Sequence, residues 1–98
     1  MLFRSVVLQS PQSVVIANNS NTITINIDND LNFLLFPNVG TKIEIYQYGS
    51  GTTKIAANDV SVTIRSANNW ANISGQYMSA SVVKVQANTW MLTGNLKA

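Results

Sequence analysis

The 98-residue sequence contains neither histidine nor cysteine. Without histidine there is no neutral-pH proton shuttle and no Ser-His-Asp or Cys-His nucleophile. Without cysteine there is no disulfide, no thiolate metal ligand and no thiol chemistry, and the redox compartment is left open. Charge is scarce too: charged residues make up 10% of the chain, against about 25% in a typical globular domain. The basic residues are scattered and the formal net charge is +2, too weak a field to mark a nucleic-acid groove. No apolar run approaches the roughly 18 residues of a membrane helix, and residues 1–8 lack the apolar core of a signal peptide. The expectation is a soluble, unprocessed, non-enzymatic protein without a cofactor.

What is present is a neutral polar surface and a period of two. Hydrophobic residues are 46% of the chain, and Asn, Ser and Thr alternate with Val and Ile, as in Thr22-Ile23-Thr24-Ile25-Asn26-Ile27. Alternation of this kind specifies half-buried strands. It predicts strands over 2–8, 14–17, 22–28, 32–36, 41–48, 53–57, 60–66, 71–74, 79–86 and 89–93, and no helix. Short turn-rich connections between them lead to an all-β fold, a compact antiparallel sandwich or barrel of hairpins with no room for parallel crossovers. Residues 11–98 read as one β-domain. Residues 1–10, ending at Ser10-Pro11, read either as its first strand or as an arm that adds a strand to a neighbouring subunit. Ile43 and Ile45 point to one side of their strand while Tyr46 and Tyr48 point to the other. An oligomer is therefore expected, since a second apolar face wants cover; the plainer alternative is a closed core with a few exposed aromatics.

Four carboxylates remain for chemistry: Asp28, Asp30, Glu44 and Asp59. Asp28-Asn29-Asp30-Leu31-Asn32 opens like a calcium loop, but the loop's glycine position holds Phe33 and its closing glutamate position holds Val39, so an Asx-type turn is the simpler reading and an irregular Ca²⁺ site the alternative. Asp28 and Asp30 could be spaced as a glycosidase pair, yet no aromatic sugar platform adjoins them in sequence. Gly49-Ser50-Gly51 lies between strands rather than before a helix and reads as a hairpin turn, not a phosphate loop. Trp70 and Trp90 could stack on a base or sugar, although a strand tryptophan more often anchors a core or interface. The tyrosines Tyr46 and Tyr48 pose the same choice.

From Val39 onward a family resemblance enters. Val39-Gly40-Thr41-Lys42-Ile43-Glu44-Ile45-Tyr46-Gln47-Tyr48-Gly49-Ser50-Gly51 resembles the opening of a β-module that recurs in tail-fibre and other structural proteins of tailed bacteriophages. Ile55-Ala56-Ala57, Val62-Thr63-Ile64-Arg65-Ser66, Gly75-Gln76-Tyr77, Ala80-Ser81-Val82-Val83-Lys84-Val85 and Asn88-Thr89-Trp90-Met91-Leu92-Thr93-Gly94-Asn95-Leu96 follow in the module's order. One departure is Trp70, where the module has a Gly-Lys-like turn, and residues 1–38 lie outside the match. Gly40, Gly49, Gly51 and Gly94 fall at strand ends, where turns or bulges need them. Lys84 and Asn88-Thr89-Trp90 bracket a closing hairpin whose tryptophan seals one end of the core. Arg65 is expected to bond carboxylate or backbone, within or across subunits. The resemblance implies a virion structural protein. Because the module fills most of this chain, the specific expectation is a capsid decoration or cement protein, a homotrimer contacting major capsid protein. The alternative is a tail-fibre or receptor-binding module that meets host polysaccharide through Tyr46, Tyr48, Trp70 or Tyr77.

Overall fold

The computed structural model describes residues 5–8, 14–33 and 37–98. Among these, ten strands and two 3-10 turns occur, and no α-helix. The strands are β1 (Ser5–Leu8), β2 (Val14–Ala17), β3 (Ile23–Ile27), β4 (Lys42–Gln47), β5 (Thr53–Ala57), β6 (Thr63–Ser66), β7 (Asn72–Ile73), β8 (Ser79–Gln86), β9 (Thr89–Gly94) and β10 (Leu96–Lys97). The all-β expectation holds, and the period of two is its cause. In β3, Ile23, Ile25 and Ile27 are buried while Thr24 and Asn26 are half-buried; in β8, Ala80, Val82 and Lys84 point inward. Each such isoleucine contributes about 1.5–3 kcal/mol by leaving water.

Two five-stranded sheets share one core. The first runs β1-β3-β5-β7-β10 and the second β2-β4-β8-β9-β6. Ile25, Ile55 and Ile73 of the first pack in the same cluster as Ile43, Val82 and Trp90 of the second. The expectation of an antiparallel meander is corrected here, because β1 with β3, β3 with β5, β2 with β4 and β6 with β9 pair in parallel. A parallel pair needs a crossover, and here the crossover is the other sheet: from β1 to β7 each successive strand falls in the opposite sheet. No helix is required.

This alternation builds two stacked rungs. Val14 lies beside Glu44 and Ile23 beside Thr53, each pair thirty positions apart. The corners between the arms stack as well: Tyr48 N and Gly49 N donate to Ala17 O at 2.8 and 3.1 Å, Gly51 N to Asn19 O at 2.8 Å, and Ile23 N to Thr52 O at 2.9 Å. Gly49-Ser50-Gly51 is thus a corner that carries the chain from one sheet to the other, not a hairpin turn. A Cβ on Gly49 or Gly51 would overlap the backbone of Asn19 or Asn21. Glycine is what allows the rungs to close to bonding distance. Buried Gln47 completes the second corner, its Oε1 accepting from Thr53 N at 3.1 Å.

The β8–β9 hairpin then fills the two places between β4 and β6. Its two-residue loop places Asn88 at φ 49°, a left-handed conformation that asparagine tolerates. Of the strand expected over 32–36, Asn32 instead ends a 3-10 turn (Asp30–Asn32), Phe33 caps that turn and is buried, and 34–36 lie outside the described residues. Of the segment read as arm or first strand, Ser5–Leu8 pairs with β3 of the same chain, and residues 1–4, 9 and 10 lie outside the description.

Candidate functional site

The outer face of the second sheet gathers the exposed apolar side chains that sequence parity assigns to it. Register places Ile16 beside Tyr46, Val14 beside Glu44, and Val83 between Lys42 and Met91, with Arg65 beyond Met91. Val14, Ile16, Tyr46 and Met91 are all exposed, Ile16 by 65%. Tyr48 and Tyr77 extend this face past the end of β4, their rings edge to face at 5.6 Å. Of the residues singled out by sequence, Tyr46, Tyr48 and Tyr77 therefore lie at one end of a single face, and Arg65 lies near its far side.

Apart from Arg65 at its far side, the charge on this face gathers in a small cluster. Lys42 Nζ is 3.6 Å from Glu44 Oε1, and the Tyr46 hydroxyl donates to Glu44 Oε2 at 2.9 Å. That hydrogen bond, with the carboxylate's charge behind it, raises the phenol above its ordinary value of 10.0. Tyr77 is held differently. Its φ is 66°, a left-handed conformation unusual for an aromatic residue, and its N–H donates to Gln47 O at 2.6 Å. The neighbouring Gln76 Nε2 donates to Tyr48 O at 3.1 Å. The ring so positioned is 73% exposed.

The remaining sequence candidates are placed elsewhere. Trp70 borders a depression of about 250 Å³ lined by Ala67, Met91, Leu92, Gly94 and Leu96. Trp90 is fully buried and stacks on Phe33 at 6.1 Å. Lys84 is also buried: its Nζ lies 2.6 Å from Asp30 Oδ2 and 2.6 Å from Pro37 O. Asp30 and Asn88 exchange two further bonds, Asp30 N to Asn88 Oδ1 at 2.8 Å and Asn88 N to Asp30 Oδ2 at 2.9 Å. Asp28 Oδ1 accepts from Asn29 N, Asn58 Nδ2 and Asn32 Nδ2 at 2.7, 3.1 and 3.2 Å. Both aspartates thus serve as acceptors that shape the link from β3 to β4. Among the described residues no three or more acidic side chains gather as a metal site would need. Gly40 precedes β4 and Gly94 ends β9.

Sequence reasoning missed Ile16 and the Lys84–Asp30 pair. Parity held a signal for each. Lys84 continues the inward series Ala80, Val82, and Ile16 alternates with Val15 and Ala17, which pack inward. Comparison with known proteins finds no matching family model, no matching curated protein and no matching solved structure.

Proposed function

We propose that the chain is a non-enzymatic structural protein of a bacteriophage virion, a decoration or cement protein that stabilises the particle by symmetric contacts. The observation that carries this reading is the outer face of the second sheet. It exposes Val14, Ile16, Tyr46, Tyr48 and Met91 with few charges between them, so little desolvation opposes its burial against another subunit. The resemblance of residues 39–96 to the phage β-module supplies the particle. The two sheets are read as a sandwich, the assembly as a homotrimer seated on major capsid protein, and the multiplication of modest contacts by symmetry as the mechanism. Nucleic acid and membrane are not expected partners.

Immunogold labelling of whole particles with antibody to this chain tests the reading. Label is expected on heads, and purified heads carrying the protein should withstand heat better than heads stripped of it. Label confined to tails would sink the decoration role.

Tyr77 favours a second reading. An exposed ring kept on a strained backbone suits a contact residue, and with Tyr48 it could stack on host polysaccharide at a fibre tip. In that case label falls on tails and the protein binds host cells.

A further inference from the structure

The two sheets end unevenly at β1 and β2. β2 and β3 are the arms of the first rung, β4 and β5 those of the second. β1 pairs with β3 on the side away from β5, so it lies one level beyond the first rung. Among the described residues the second sheet has no strand at that level, because β2 is its last. Among the described residues the first sheet therefore overhangs by one strand, with a place one strand wide beside β2.

The open side of β2 is equipped to fill it. Ala17 O accepts from Tyr48 N and Gly49 N, so Ala17, and by parity Val15, turn their peptide groups toward β4. Val14 and Ile16 turn theirs the other way, to the open edge. The strand also lacks the devices that usually protect an edge. Val14–Ala17 contains no charge and no proline, its register to β4 is unbroken, and Val14 and Ile16 are 46% and 65% exposed.

We propose that this edge is a strand-acceptor site for an extended, uncharged segment of another polypeptide, apolar at alternate positions. The overhang selects that occupant. A second folded copy docking β2 antiparallel to β2, with the same face outward, would bring its own β3 to the place β1 already occupies, whereas a single extended segment meets no such conflict. One face of the segment lies beside the inward-packing Val15 and Ala17 and must be apolar. The other lies beside the exposed apolar Val14 and Ile16, against which neutral side chains pack with the least desolvation. This deepens the assembly reading and rests on it only in that another polypeptide supplies the strand. Particle labelling can fail while strand addition succeeds, and the reverse.

The test is a titration of the isotope-labelled full chain, followed by amide NMR and hydrogen exchange. The probe is a synthetic Thr-Ile-Thr-Ile-Asn-Ile peptide, the order at residues 22–27, flanked by Gly-Ser. Saturable shifts and slowed exchange are expected at Val14 and Ile16, with little new protection at Val15 and Ala17. Ile16→Pro removes an open-edge donor without touching the bonds to β4 and should weaken binding about tenfold or more, whereas Ile16→Thr keeps the donor and should bind within about twofold of the parent. If Ile16→Pro disturbs the fold, a peptide N-methylated at alternate residues probes the same bonds from the other side and should not bind. Unchanged Val14 and Ile16 amides at millimolar peptide would overturn the proposal. So would undiminished binding by a folded Ile16→Pro, or shifts centred on β6 or β10. Concentration-dependent shifts at β2 without any peptide effect would assign the edge to a second copy instead.

Discussion

Lys84 Nζ lies 2.6 Å from Asp30 Oδ2, an ion pair joining positions fifty-four apart with both side chains within 3% of full burial. The pair ties the link between β3 and β4 to the β8–β9 hairpin, and Asn88 and the Pro37 carbonyl add bonds to the same knot. Removing one partner leaves the other charge buried, which typically costs about 3–5 kcal/mol. Lys84→Met and Asp30→Asn should each lower the unfolding free energy read from urea denaturation by an amount in that range, with a matching fall in midpoint. The double variant should lose clearly less than the two losses combined. Additive losses in a double-mutant cycle would show that the pair is not coupled.

The stacked corners give a second expectation. Gly49→Ala and Gly51→Ala each place a methyl group into the backbone of Asn19 or Asn21. The rungs must separate locally, at a cost of about 1–3 kcal/mol. Gly75→Ala, whose added Cβ meets only Met78 Sδ at 3.7 Å, is the control and should change little. Equal melting temperatures for Gly49→Ala and the control would remove the corner stack as a source of stability.

The alternating pattern makes most of the strands legible, down to the bounds of β2, β5 and β8. The pairing is not legible in the same way. Period-two alternation says which side chains face inward but not which sheet a strand joins, so strands that alternate between sheets look like consecutive hairpins. The thirty-residue repeat is equally faint: over 14–27 and 44–57 only Ser20 with Ser50, Thr22 with Thr52 and Ile25 with Ile55 coincide. The rungs match in backbone conformation rather than side chain. Of the candidate face, Tyr46 and Tyr48 are readable from their strand, while Tyr77 and Ile16 join them only through the fold.

Tyr46 offers a pH test. Its phenol is raised first by the hydrogen bond to Glu44 and then by that carboxylate's charge. Glu44→Ala removes both causes, and the ultraviolet titration of Tyr46 should return toward the ordinary value of 10.0. Glu44→Gln keeps an acceptor without the charge and should fall between. A folded-state value above the unfolded one means that the contribution to stability is complete below the ordinary value and fades as pH rises through the raised one. Because the ring is exposed, that contribution is small. A Tyr46 midpoint unmoved by Glu44→Ala would show that the bond is not populated in solution.

Tyr77 separates stability from function most directly. A left-handed residue other than glycine costs about 1–2 kcal/mol, and asparagine tolerates the conformation better than an aromatic residue does. Tyr77→Asn keeps the N–H bond to Gln47 O and loses only the ring and its edge contact with Tyr48. The variant should be as stable as the parent or more so, by up to about 1 kcal/mol, in thermal melts. Attachment to partner should fall in the same protein, whether the partner is a purified head or a host cell. Strain retained for contact predicts that the two quantities move in opposite directions. A variant that melts earlier and attaches normally would make Tyr77 a structural residue and leave the outer face without its most specific contact.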